Sequence, residues 1–375
     1  MRNAVRLSLV GVAPAGAAGG VGGPFEDRMA AERDAAGHPG GAAGRVGGPL
    51  EDWMAAERDV EGHAGSAIGD ELVAGPVLVA CSGGADSMAL AVAARFVTRR
   101  MGVRCGLVTV DHGLQEGSRE RAERLAEWAR ERGFEPVDVR VVRVGDVGGP
   151  EAAAREARYA ALEEAAIEHR AAVVLLGHTR DDQAETVLLA LARGSGPRGL
   201  AGMPWRRERR GVAFVRPLLD VSRADTRAAC EVDGLPVWDD PHNSDAAYAR
   251  SRIRPLVEAL GAAVVDNLAR TARLVGADSE YLDDLAGEAL EKALDGDGAG
   301  EAGLAVDDLA RLPDPIRTRV LHAWALRLGA PGSALSHRHV GALDALISNW
   351  HGQGAVALPG GISVVRAAGR LQAER

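Results

Sequence analysis

The sequence predicts a doubly wound α/β domain built on a parallel sheet, followed by a smaller, mostly helical domain. Three observations carry this. Apolar runs typical of buried strands alternate with helical patterns four times between residue 72 and about residue 238. Polar, glycine-containing motifs directly follow the strands, where open α/β sheets place their ligands. From Arg254 onward the alternation stops and helical periodicity takes over. The chain therefore divides into a leader over 1–70, an α/β domain over 71–256, and a helical linker with a C-terminal domain over 257–375.

The α/β part opens with the apolar run Val77 to Ala80, which breaks at Ser82-Gly83-Gly84-Ala85-Asp86-Ser87 and resumes as a helix through Arg100. Arg104 to Val110 is a strand closing on Asp111-His112-Gly113. Glu116 to Arg132 follows as a helix with charge pairs four residues apart, and Val137 to Val144 as a strand. Pro150 to Glu168 is an Ala-rich helix, and Ala172 to Gly177 a buried strand that runs into His178-Thr179-Arg180-Asp181-Asp182. In the C-terminal third, Ala259 to Leu294 is amphipathic, and an Asp/Gly-rich break at Asp295 to Gly303 separates it from helices over Leu309 to Leu328 and Ser336 to Ile347. Gly354 to Val365 reads as a hairpin turning at Pro359-Gly360-Gly361.

Residues 1–70 differ in kind. Val21-Gly22-Gly23-Pro24 and Met29 to Asp34 recur 25 residues later as Val46 to Pro49 and Met54 to Asp59. Two copies with few large apolar groups do not stack into a solenoid, so the leader is expected to be mostly disordered. Its repeated histidines, His38 and His63, are read as solvated. Arg2 and Arg6 before Leu7 to Val12 imitate a secretory signal, but the apolar stretch is too short.

Composition narrows the function classes. Hydrophobic residues make up 46% of 375 residues, yet no apolar run approaches the roughly 20 residues that span a bilayer, so no membrane partner is expected. Cys81, Cys105 and Cys230 are far apart, with no C-x-x-C pair to suggest a zinc or iron–sulfur site, and a reducing, cytoplasmic setting fits them. A formal charge of −9 means that any nucleic-acid partner must be met by local basic patches. Lys292 is the single lysine, which shifts lysine's usual roles to arginine, metal or backbone donors.

The Ser82 to Ser87 turn reads as a phosphate cradle. A strand feeding a glycine turn and a helix start aims several N–H groups and a positive dipole end at one point. The lysine-containing phosphate loop G-x-x-x-x-G-K-[ST] is absent, and Asp86 beside an anion makes sense chiefly with a divalent cation between them. In Gly177 to Thr186, Asp181 and Glu185 lie four apart on one helix face and suit Mg²⁺. The alternative is an N-capping aspartate followed by an exposed acidic turn. Asp111 or His112 equally suits a cap for the turn after its strand.

The cradle resembles that of the PP-loop ATP pyrophosphatases, which cleave ATP between its α- and β-phosphates. Further motifs are similar to those of the tRNA(Ile)-lysidine synthase branch: Val110 to Leu114, Glu151 to Tyr159, Gly177 to Thr186, Arg193 to Gly196, Gly199 to Met203, Arg216 to Leu219, Asp240 to Asn243 and Tyr248 to Arg254. Thr179 and Ser251 depart from it, where the family often has histidine and asparagine. The resemblance implies ATP-dependent adenylation of the wobble cytidine of a CAU-anticodon isoleucine tRNA, then attack by free L-lysine to give lysidine.

Under this resemblance Ser82, Gly83, Gly84, Ala85, Asp86 and Ser87 bind ATP and pyrophosphate, and Asp86, Glu185 and Arg250 are catalytic. Asp86 and Glu185 hold Mg²⁺. Asp111, His112 and His178 lie against the adenine or behind the phosphate-binding residues, and Arg155, Arg158, Asp182 and Arg254 serve lysine or tRNA. Arg155, Arg158 and Tyr159 equally suit a staple between helix and sheet, and Arg250 and Arg254 a solvated basic face. The cofactors implied are ATP and Mg²⁺, with oligomeric state open, a homodimer included. The C-terminal third resembles a substrate-recognition domain with tRNA contacts from 300–375. His337, Arg338 and His339 are its candidate contacts, although a helix-start polar cluster explains them as well. Trp205 to Arg210 is a basic run beside an aromatic, consistent with either an exposed loop or contact with single-stranded RNA. The alternatives carried forward are a 2-thiocytidine synthetase, which needs paired cysteines, and an inactive ATP- or RNA-binding module.

Overall fold

The computed structural model describes residues 1–10, 75–113, 117–143, 145, 149–238, 249–295, 303–332 and 334–374. The duplicated segment, Asp240 to Asn243 and Tyr248 lie outside these. Contacts divide the chain into one compact unit of residues 1–193 and 202–270 and another of 194–201 and 271–375.

In the first unit β1 (Val77–Ala80), α2 (Ala85–Arg100), β2 (Cys105–Asp111), α3 (Ser118–Glu131), β3 (Val137–Val141), α4 (Pro150–Glu168), β4 (Val173–Leu176) and α5 (Arg180–Ala192) follow one another in the expected alternation. A helix α1 (Arg2–Leu9) precedes them, and a short helical turn α6 (Pro197–Leu200) falls to the second unit. β5 (Arg206–Arg209), β6 (Val212–Val215), α7 (Arg223–Val232) and α8 (Ala249–Leu260) complete the first. The sheet order is β3-β2-β1-β4-β6-β5, with β5 alone antiparallel to its neighbour β6.

Strand β1 shows why both faces are covered. Val77 and Val79 point into a cluster with Met88 and Leu90 of α2, while Leu78 points into another with Tyr159 and Leu162 of α4, and all three β1 side chains are fully buried. Central strands that are apolar on both faces demand helices on both, which is the predicted doubly wound arrangement.

Two features of this unit depart from expectation. The leader reading does not hold for its first residues: Arg2–Leu9 is a helix whose Val5 and Leu9 are 0% and 1% exposed within the α2 core, with the Arg2 guanidinium 4.0 Å over the Phe96 ring. An i,i+4 apolar pair is enough to seat a two-turn helix when a neighbouring surface receives it. The basic run around Arg206–Arg209 is an edge strand, not a loop, turning through Arg210 and Gly211, both at positive φ, into the buried Val212–Val215.

Helix α9 (Ala262–Asp295) runs through residue 270, where the division falls, and Val257 of α8 and Val265 of α9 pack with Ala184 of α5. In the second unit β7 (Leu304–Ala305), α10 (Val306–Ala310), α11 (Asp314–Arg327), α12 (His337–Ser348), β8 (Val356–Leu358), β9 (Ile362–Ala367) and β10 (Arg370–Glu374) form a helical layer and an antiparallel sheet of order β7-β10-β9-β8. Trp324, Leu321, Leu343, Val364 and Leu371 make its core. The hairpin is where the Pro-Gly-Gly turn placed it. The single helix expected over Leu309 to Leu328 is two, because Pro313 closes one and caps the next.

Candidate active site

The cradle is formed at the carboxyl end of β1. Gly83 takes φ +86°, the left-handed region that favours glycine, and Gly84 caps α2 without a side-chain cap bond among the described residues. The two serines divide their work. Ser87 is buried and braces the turn, donating to the Gly84 carbonyl at 2.9 Å and accepting the Ser82 N–H at 3.2 Å, whereas Ser82 is exposed. The result is a helix start whose N–H groups are offered to an anion. Gly177, at the end of β4, lies so close that a Cβ there would meet the Asp86 carbonyl oxygen and Ser87 Cα, both at 3.1 Å. Trp238 closes the other side: its N–H donates to the Gly83 carbonyl at 3.0 Å, and the Arg121 guanidinium stacks 4.3 Å from its ring.

These groups line a cavity of about 900 Å³ within the first unit. Asp111, His112, Arg158, His178, Arg223 and Arg254 line it too. Asp111 also plays the alternative role considered for it, since Oδ1 accepts the Gly113 N–H at 2.9 Å and so caps the turn after β2.

Asp86 occupies the first turn of α2 and points across to α7, where the Thr226 hydroxyl donates to it and Arg223 Nε lies 3.8 Å away. Burial pushes the Asp86 carboxyl up from its ordinary value. Asp182 and Asp181 push in the same direction, and the Thr226 hydrogen bond and Arg223 oppose them.

Helix α5 brings the other carboxylates. Thr179, not an aspartate, is its N-cap, and Asp182 completes a capping box by accepting the Thr179 N–H at 2.8 Å. Asp181 accepts the Arg223 backbone N–H at 2.8 Å. Glu185 is 1% exposed rather than part of an exposed acidic turn. Arg223 Nη2 donates to Asp182 Oδ1 at 2.8 Å and to Glu185 Oε1 at 3.0 Å, and Arg254 Nε reaches the same Glu185 oxygen at 3.2 Å. Three carboxylates hold the Arg223 guanidinium well above its ordinary pKa despite burial.

Arg254 therefore meets a carboxylate, and Arg250 lies at the start of α8, with its side chain outside the described residues. Arg155 and Tyr159 behave as the staple: the Tyr159 ring packs edge-on against Phe214, and its hydroxyl accepts from Arg216 at 3.1 Å and Arg155 at 3.4 Å. Burial alone would raise the Tyr159 pKa, but Arg216, Arg155 and Arg158 together bring it below its ordinary value. In the basic run, Arg209 turns inward to Glu163 at 2.8 Å. In the second unit His339 accepts the Ser336 N–H at 3.0 Å, the role of a helix-start cap.

Arg223, Thr226, Arg121 and Trp238 are site residues that sequence reasoning missed. The capping box Ser222-x-x-Asp225 marks a helix start at Arg223. Nothing local says that this helix end faces Asp86.

With the geometry in place, comparison with known proteins decides the family. A profile described as PP-loop domain matches residues 60–260, and one described as TilS substrate binding domain matches residues 304–372. A tRNA(Ile)-lysidine synthase of Salinispora tropica is 63% identical over 305 residues, covering 80% of this chain and 90% of that one. The chain belongs to the tRNA(Ile)-lysidine synthase family. A further member, from Streptomyces coelicolor, is 55% identical over 79% of this chain and 84% of its own. A tRNA(Ile)-lysidine synthase of Thermobifida fusca is 54% identical over 76% and 87%. The two-unit layout of this family member matches the two profiles, the cradle in one and the antiparallel sheet in the other.

Proposed function

We propose that the chain is a tRNA(Ile)-lysidine synthase: it uses ATP to adenylate the wobble cytidine of a CAU-anticodon isoleucine tRNA, then joins free L-lysine to it, releasing AMP and pyrophosphate. The observation that carries this reading is one cavity with an anion cradle at Ser82 to Ser87 and, bound by Arg223 of its wall, the buried Glu185 beside the half-buried Asp182, a carboxylate pair suited to an ammonium.

The cradle holds the leaving pyrophosphate through backbone N–H groups and the positive end of α2, with Ser87 fixing the loop's shape. The cytosine carbonyl oxygen attacks the α-phosphate in line, so the residues serve chiefly to position and to neutralise charge. Arg223 and Arg254 are among the arginines of the cavity wall, with Arg121, Arg124, Arg158 and Arg227, that can bring positive charge to the phosphates, as expected where the chain has one lysine. Asp182 and Glu185 orient the ammonium of lysine and help remove a proton before its nitrogen attacks the activated carbon and AMP departs.

Among the described residues no three His, Cys, Asp or Glu side chains gather into a metal cage. A magnesium ion carried by nucleotide phosphates needs only one or two protein carboxylates, and Asp86 at the cradle fits that demand. Glu185 does not, being enclosed and paired with two guanidiniums, so the metal anchor is assigned to Asp86 alone. When bound, magnesium supplies positive charge to the leaving pyrophosphate. The chain acts on tRNA in the cytoplasm, with the second unit holding the tRNA body.

The cysteines favour this reading over thiolation. All three are buried, and burial pushes the Cys105 and Cys230 thiols up to about 11, which suppresses the thiolate.

The test is incubation of the purified chain with ATP, Mg²⁺, lysine and a CAU-anticodon isoleucine tRNA, followed by nucleoside mass spectrometry. Lysidine is the expected product, and its absence from a folded, tRNA-binding sample overturns the assignment.

A further inference from the structure

Arg223 stands between the two halves of the site. Its guanidinium lines the cavity, while the carboxylates it binds, Asp182 and Glu185, are not on the cavity wall, and Glu185 is almost wholly buried. One nitrogen, Nη2, bonds both carboxylates, and another, Nε, lies 3.8 Å from Asp86 on the cradle side. Glu185 Oε2 is buried and has no hydrogen-bond partner among the described residues. A buried carboxylate oxygen without a partner carries a desolvation cost that an added ammonium would relieve.

We propose that Arg223 is a positioning residue that couples the phosphate half of the site to the amine half, occupying the carboxylates that the lysine ammonium later takes. This rests on the proposed function. Before nucleotide binds, Arg223 covers Asp182 and Glu185 and keeps their charges paired in a nearly dry setting. Nucleotide phosphates at the cradle give the guanidinium a second anionic partner on the Asp86 side. Because Arg223 already spans the two groups, a change of side-chain rotamer moves it, with no shift of α7 required. The carboxylates, Glu185 Oε2 included, then open to the cavity and receive the substrate ammonium. The order of binding follows: the amine binds well only after the nucleotide is in place, which limits loss of lysine to sites unable to use it. The two ligands are linked through the differential contacts of one side chain, so each must raise the other's affinity by the same factor.

The experiment is calorimetric titration of L-lysine into the full chain, with and without a non-hydrolysable ATP analogue and Mg²⁺, for wild type, Arg223→Gln and Arg223→Lys. In wild type the analogue is expected to tighten lysine binding about ten-fold, within the usual range of such couplings. In Arg223→Gln lysine binds without nucleotide as tightly as wild type does with it, and the ten-fold difference disappears. Arg223→Lys keeps one positive charge near Asp182 and Glu185 but loses the second nitrogen, Nε, that faces Asp86, and is expected to retain only part of the coupling. If Arg223→Gln fails to fold, the decision rests on Arg223→Lys. Coupling undiminished in the variants, or lysine binding indifferent to nucleotide in wild type, overturns the inference while leaving the proposed function intact. No lysine binding by wild type under any condition, together with no lysidine formed, overturns both.

Discussion

The Thr226 hydroxyl donates a hydrogen bond to the Asp86 carboxylate across 140 residues of chain, tying helix α7 to the first turn of the cradle helix. The same helix places Arg223 beside Asp86 and lets Cys230 donate to the Ala85 carbonyl at 3.3 Å. The cradle is thus shaped by a helix far away in sequence, and Asp86 is held partly buried against it, at a cost that a role in the proposed reaction would explain.

Asp86→Asn is therefore expected to raise the melting temperature of the unliganded chain at neutral pH while abolishing pyrophosphate release. Burial raises the folded-state pKa of Asp86 above its ordinary 3.8, so the folded state holds the proton more tightly than the unfolded chain does. Stability from this group is then greatest below the ordinary value and is lost as pH rises through the folded one. The melting-temperature gap between variant and wild type should widen from about pH 4 to pH 8, as scanning calorimetry would show. A gap of opposite sign would mean that the Arg223 and Thr226 contacts outweigh burial.

Glu185→Gln keeps the shape of the side chain but removes the charge shared by Arg223 and Arg254. The KM for lysine is expected to rise about ten-fold or more, the scale of one charged hydrogen bond, with lysine-independent ATP consumption much less affected. Initial rates at varied lysine give the answer, and an unchanged KM removes Glu185 from the amine site.

Removing residues 1–10 is expected to destabilise the first unit, since Val5 and Leu9 are fully enclosed. Leu9→Ala alone should cost about 2–5 kcal/mol in urea unfolding, in the range of large-to-small changes in a packed core. A cost under about 0.5 kcal/mol, typical of surface sites, would place the helix outside the cooperative unit.

Gly177→Ala tests the tight contact between β4 and the cradle helix. The new methyl meets two backbone atoms at 3.1 Å, which cannot swing aside as a side-chain tip would. The expected result is a drop in nucleotide affinity with the circular dichroism spectrum preserved. Wild-type affinity would show that the cradle accommodates the shift freely.

Read alone, the sequence determined the things that short-range pattern encodes. Strand and helix alternate with distinct periods, so the parallel sheet, the Pro150–Glu168 helix and the Pro359-Gly360-Gly361 hairpin were all legible. The cradle was legible because its glycines, serines and aspartate are contiguous, and the ordered motifs after it were specific enough to point to the family. Tertiary structure alone decided what each polar group faces. Whether Asp182 caps a helix or binds a cation depends on Arg223, about forty residues away, and it does both. Val5 and Leu9 look like part of a mostly disordered leader until the surface of α2 receives them, and Arg206–Arg209 like a loop until Val212–Val215 pairs with it. Contacts of this kind form when distant segments meet in the folded core, and burial there sets both the charge pairing around Glu185 and the raised pKa of Asp86.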